Sequence, residues 1–166
     1  MKTAYRMLLL GLLGLTTALV GCKKTEDTTA APAQAAALPA PTNGDDQAWR
    51  AYIQDAVGRN MGAVTSTPIM YYLPAQSDPD FQGKYDRLKE QIDTAVQRGV
   101  TAGNMVGFGS PESAKMADLV VEAFAKAESA SFKGVRVLFI GAAADNDRVK
   151  AAVGPSGADY VFVEAK

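Results

Sequence analysis

The chain has no histidine among its 166 residues and a single cysteine, Cys22. Without histidine, Ser-His-Asp and Cys-His nucleophile systems and His-containing zinc sites are excluded. One cysteine cannot form a disulfide within the chain, so the folded part must be stabilised by its core. Basic residues are not in excess either: 17 Lys and Arg stand against 18 Asp and Glu, which argues against nucleic acid as a partner. A long membrane-spanning run is also missing. The apolar stretch Met7 to Val20 has fourteen residues, about 21 Å at helical rise and too short to cross a bilayer stably.

That short run has the organisation of an export signal. Lys2 and Arg6 give a positive leader, the apolar core follows, and small or aliphatic residues close it. The closing sequence Leu19-Val20-Gly21-Cys22 closely resembles the lipobox of bacterial lipoproteins. The resemblance covers Met1 to about Lys23. It implies that residues 1–21 are a lipoprotein signal peptide, and that Cys22 is acylated, becomes the mature N-terminus and is lost as a nucleophile. In enterobacterial lipoproteins an Asp directly after the acylated Cys favours retention in the inner membrane. Lys23 holds that position here, so the resemblance further implies the outer membrane of the cell envelope, facing the periplasm. Removal of Lys2 and Arg6 leaves 15 basic residues against 18 acidic ones, a net charge of about −3. Membrane attachment would then rest on acyl chains, at about 0.8 kcal/mol per buried CH₂, rather than on a polybasic patch.

Residues 22–44 comprise the expected lipidated N-terminus and a Thr/Ala/Pro-rich tract with no aromatic residue and one large aliphatic, Leu38. Such a composition cannot bury enough surface to offset chain ordering, so it reads as a flexible tether with a typical reach of about 25 Å. The pattern changes at Asp45. From there to Lys166, helical and strand signals alternate, and residues 45–166 are expected to form one α/β domain.

Asp45 or Asp46 suits a helix cap ahead of Trp49, Tyr52, Ile53, Ala56 and Val57, which recur at helical spacing. Thr67 to Leu73 reads as a strand closed by Pro74. Asp78-Pro79-Asp80 predicts the start of a second helix with the stripe Phe81, Tyr85, Leu88, Ile92, Ala95 and Val96. Asn104 to Phe108 is the next strand, and Ser110-Pro111 predicts the cap and first residue of a third helix through Met116, Leu119, Val120, Ala123, Phe124 and Ala127. Val135 to Ile140 is the strongest strand signal. Asp145 to Val153 fits a fourth helix, and Tyr160 to Val163 a last strand. Strands alternating with helices imply about four mainly parallel strands joined by right-handed crossovers. The expected architecture is a three-layer α/β sandwich, with a two-layer arrangement as the alternative; the largely apolar run Val135 to Ile140, with little alternation, favours a strand covered on both faces.

Ligands of open parallel sheets tend to bind beyond the C-terminal strand ends. Ser110 there offers a hydroxyl at a helix start, either a small anion-binding pocket or simply a cap. Asp145 and Asp147, with Asp78 and Asp80, can gather oxygen ligands around a hard cation, although Asp145 is also a natural cap and the loop lacks the Gly and distal Glu of an EF-hand. Arg148 can pair with a neighbouring carboxylate. Gly107-Phe108-Gly109 is too short to argue for a dinucleotide site. Tyr71 and Tyr72 are consecutive, so they should face opposite sides of their strand. Trp49, Tyr52 and Ile53 are core if the first helix packs on the sheet, and a partner surface if it does not.

These residues support a lipid-anchored, non-enzymatic binding or assembly module engaging an envelope protein or small ligand, with no cofactor expected. The alternative is a metal- or phosphate-dependent periplasmic enzyme using Asp145, Asp147, Asp78 and Ser110 at the strand ends. A purely architectural link to the cell wall has no recognised peptidoglycan-binding pattern behind it.

Overall fold

Asp45 caps the first helix by accepting the Ala48 N–H at 2.7 Å, and helix α1 then runs over Asp46–Arg59. The computed structural model describes residues 36–166; the leader, Cys22 and the first part of the tether lie outside the described residues. After α1 come strand β1 (Ile69–Tyr72), helix α2 (Phe81–Arg98), strand β2 (Met105–Gly109), helix α3 (Ser113–Phe124), strand β3 (Arg136–Gly141), helix α4 (Ala143–Val153) and strand β4 (Asp159–Glu164). The expected order of helices and strands is the observed one.

All three strand pairs are parallel, and the sheet order is β1-β2-β3-β4. Each crossover advances one strand in the same direction. With a common hand, the connecting helices must then fall on one face. Accordingly Leu88 and Ile92 of α2, Met116 and Val120 of α3, and Val149 and Val153 of α4 share a core with Val106, Phe108, Val137 and Phe139. The opposite face, carrying Met105, Leu138 and Ile140, is left to α1. The arrangement is therefore three-layered but unequal, with three helices on one side and one on the other. Buried positions on both faces explain why Val137 to Ile140 shows no alternation of apolar and polar residues.

One helix cannot cover a four-stranded face alone. Residues 36–43, expected from composition to belong to the tether, instead run antiparallel along α1. Arg59 Nη2 donates to Ala36 O at 2.9 Å, Leu38 N to Asp55 Oδ2 at 3.2 Å and Trp49 Nε1 to Asn43 O at 2.7 Å, while Ala40 joins the core under the helix. Main-chain and charged-group hydrogen bonds hold this strap, and neither registers in an apolar-composition argument. At the other end of the helix, Arg136 at the start of β3 donates to Asn60 O at 2.7 Å and to the Asp159 carboxylate of β4 at 2.8 Å.

The glycines of β2 set how closely α1 approaches. A Cβ at Gly109 would lie 2.8 Å from Ile53 Cδ1, and one at Gly107 would collide with Met70 Sδ. These residues make room for the side chains of α1 and β1, which is a packing reason for Gly107-Phe108-Gly109. Gly109→Ala should force Ile53 to move and lower stability by about 1–3 kcal/mol. An unchanged urea midpoint would show that α1 has slack at this contact.

Three helix starts differ from the expected ones. Helix α2 begins at Phe81, because Asp78 takes the Asp80 N–H on its side chain at 2.9 Å and the Phe81 N–H on its carbonyl at 3.0 Å, forming a separate turn. Helix α3 begins at Ser113 rather than Pro111. Helix α4 begins at Ala143, which places Asp145 in its first turn instead of at its cap.

Candidate functional site

At the C-terminal strand ends, Ser110 is 1% exposed. Its hydroxyl donates to Leu73 O at 2.9 Å and accepts the Glu112 N–H at 2.8 Å. Both bonds join the end of β1 to the loop before α3. Glu112 completes the lock by accepting the Gln76 N–H at 2.8 Å. The hydroxyl expected to cap α3 or greet an anion is thus a buried bridge between loops. The monotonic strand order also has no point where the winding reverses, which is where open parallel sheets form their ligand crevice.

Asp145 is 8% exposed and fully engaged. One oxygen accepts from Ser113 Oγ at 2.6 Å, and the other accepts from Arg148 Nε and Nη2 at 3.0 and 2.8 Å. Ser113 in turn accepts the Ala142 N–H at 2.7 Å, supplying the cap that α4 lacks in its own sequence. Arg148 also reaches Asp118 Oδ1 at 2.6 Å and Ala114 O at 2.9 Å. The Asp118 carboxylate, then Asp145, holds its guanidinium pKa above the ordinary value. This network clamps α3 to α4. Ser113 and Asp118 were missed in the sequence because they lie about 30 residues from Asp145 and match no local motif.

Asp147 is exposed and accepts only from Asn146 Nδ2, at 3.1 Å. Asp78 and Asp80 pair with Lys84 and Arg87 at 2.6 and 2.7 Å beside α2. No contact gathers them with Asp145. Among the described residues no group of three or more His, Cys, Asp or Glu is placed to hold a metal ion.

Trp49, Tyr52 and Ile53 are 6%, 6% and 5% exposed. Trp49 meets Tyr52 edge to face with ring centroids 5.8 Å apart, and Tyr52 Oη donates to Glu164 O at 3.3 Å. Because α1 packs on the sheet, these three residues are core rather than the partner surface that a detached helix would have offered.

The surface left open lies at β1, the edge of the sheet. In the register Ile69↔Val106 to Tyr72↔Gly109, with Leu73 N donating to Gly109 O, the main-chain groups of Ile69, Tyr71 and Leu73 turn toward β2. By alternation those of Met70 and Tyr72 turn outward, where no described residue pairs with them. Pro68 and Pro74 bracket the strand and keep it short.

Grooves flank this edge on both faces. On the α2 side, Tyr71, Arg87, Glu90, Gln91, Thr94 and Arg98 line a groove of about 560 Å³. On the α1 side, Arg50, Ile53, Val57, Met61, Met70 and Tyr72 line one of about 470 Å³. Tyr71 packs on Phe108 within the core of one face and Tyr72 belongs to the other, as expected for consecutive strand residues. Tyr72 carries the Arg50 guanidinium 4.5 Å above its ring, and its hydroxyl is buried beside the Asp46 carboxylate. Burial, reinforced by the neighbouring Asp46 carboxylate, pushes the Tyr72 pKa up and keeps the hydroxyl a donor. Ile69, at the start of the strand, is 42% exposed. Comparison with protein-family models, curated proteins and solved structures yields no match, so the functional reading rests on this geometry.

Proposed function

We propose that the chain is a lipid-anchored protein of the bacterial cell envelope whose α/β domain is a non-enzymatic binding or assembly module. The anchor is acylated Cys22, and the location is the outer membrane facing the periplasm, as the lipobox resemblance and Lys23 imply. One observation carries the binding role. The polar side chains best suited to chemistry, Ser110, Asp145 and Arg148, are engaged in bonds between loops and helices, while the β1 edge has outward main-chain groups without partners among the described residues and a groove on each side. An unpaired edge is a template for another chain.

The reading is tested in native envelopes with a photo-crosslinking side chain placed in turn at Ile69, Lys89 and Lys150, on β1, α2 and α4. A protein adduct of one discrete mass is expected from one of these positions. Lipid adducts alone, or none, from all three would sink the module reading.

A further inference from the structure

Arg50, Arg87 and Arg98 line the two grooves beside β1, and Lys84 lines a smaller hollow with Tyr72 and Pro74 at the end of the strand, against one carboxylate, Glu90, in a chain whose overall charge is −1. We propose that the β1 edge is the docking site for an extended, carboxylate-bearing peptide segment of a partner protein, which adds to the sheet as a strand beside Met70 and Tyr72. The inference rests on the binding-module reading and names the partner's chemistry.

Main-chain geometry supplies the first half of the argument. Met70 and Tyr72 offer two N–H donors and two carbonyl acceptors on the open side, the pattern that an incoming strand satisfies. Successive side chains of such a strand alternate between faces. They would therefore enter the α1-side groove, with apolar Ile53, Val57, Met61 and Met70, and the α2-side groove, with Arg87 and Arg98.

Charge supplies the second half. The carboxylate partners of Arg50, Lys84 and Arg87 are Asp46, Asp78 and Asp80, none of which lines these grooves. Exposed ion pairs of this kind are weak and exchange readily for an incoming carboxylate. Arg98 has no ion-pair partner among the described residues and is exposed at the end of α2.

The test uses the full-length protein in detergent and a fluorescein-labelled peptide, Val-Glu-Val-Glu-Val, read by anisotropy. Binding should weaken about tenfold, or 1.4 kcal/mol, when Gln replaces both Glu residues, and by a similar factor in Arg98→Glu. N-methylation of alternate peptide amides should abolish it, because that change removes strand donors and leaves the side chains alone. Met70→Pro should abolish it as well, since the proline deletes an outward N–H that the internal ladder does not use. Arg98→Glu and the methylated peptide keep the test valid if the proline variant unfolds. Absence of binding up to about 1 mM peptide, or binding indifferent to both Arg98→Glu and N-methylation, overturns the docking site. A crosslinked envelope protein at Lys89 or Lys150 would then still uphold the broader module reading. Self-association of the chain that Met70→Pro removes would make a second copy the occupant and overturn the peptide proposal.

Discussion

Trp49→Ala should lower the unfolding free energy of the domain by about 3 kcal/mol, the lower end of the cost of deleting a large buried aromatic. The indole is 6% exposed, meets the Tyr52 ring edge to face and donates to Asn43 O at 2.7 Å. Its loss therefore opens a cavity under α1 and removes one of the hydrogen bonds that hold the strap of residues 36–43. The layer has little redundancy, since among the described residues α1 is the only helix on that face, whereas three helices share the other. Urea unfolding followed by circular dichroism would check the value, because Trp49 is the only tryptophan and the variant loses its fluorescent reporter. A loss below about 1 kcal/mol, within the range of ordinary surface substitutions, would mean that the helix does not depend on this anchor. Any loss of partner binding in Trp49→Ala would have to be read as unfolding of this layer, which is why the surface positions Ile69 and Arg98 are the better probes of recognition.

Cys22→Ser should remove membrane acylation altogether. The chain has no other cysteine to substitute for it, so incorporation of an alkyne-tagged fatty acid should fall from stoichiometric to none. Each buried acyl CH₂ contributes about 0.8 kcal/mol, and loss of the chains shifts membrane partitioning by several orders of magnitude. If residues 1–21 are also replaced by an ordinary cleavable secretory leader, the serine variant should appear in the soluble fraction of the envelope. Intact-mass measurement of the unaltered protein gives the opposing outcome: a mature species that begins at Cys22 with no acyl mass would remove the anchor, and the location inferred from it.

Element order was legible because it depends on local chemistry. The stripe Trp49, Tyr52, Ile53, Ala56 and Val57 has helical period and all five side chains are buried. The run around Val137 to Ile140 has no period because both faces of β3 are covered. Helix starts were less legible. Asp78, Ser110 and Asp145 each have a residue type suited to capping, yet all three bond elsewhere: Asp78 to Lys84 and a turn, Ser110 to Leu73 O, and Asp145 to Ser113 and Arg148. A short polar side chain satisfies whichever donor or acceptor folding brings near, and sequence spacing does not reveal a partner 37 or 32 residues away. The β1 edge was illegible for a related reason. Nothing in Ile69-Met70-Tyr71-Tyr72 distinguishes an edge strand from a central one; strand order does, and several orders satisfy the same succession of helices and strands.

By itself, the sequence determined the alternating α/β succession, the absence of histidine and disulfide chemistry, and the resemblance that marks Cys22 as an anchor. Those properties depend on composition and on neighbours within a few residues. Only the tertiary structure decided that, among the described residues, three helices share one face, α1 and a strap close the other, and the outer side of β1 stands unpaired between two grooves. Each of these is a consequence of which strand lies beside which, and that is settled by long-range burial of apolar surface rather than by any local signal.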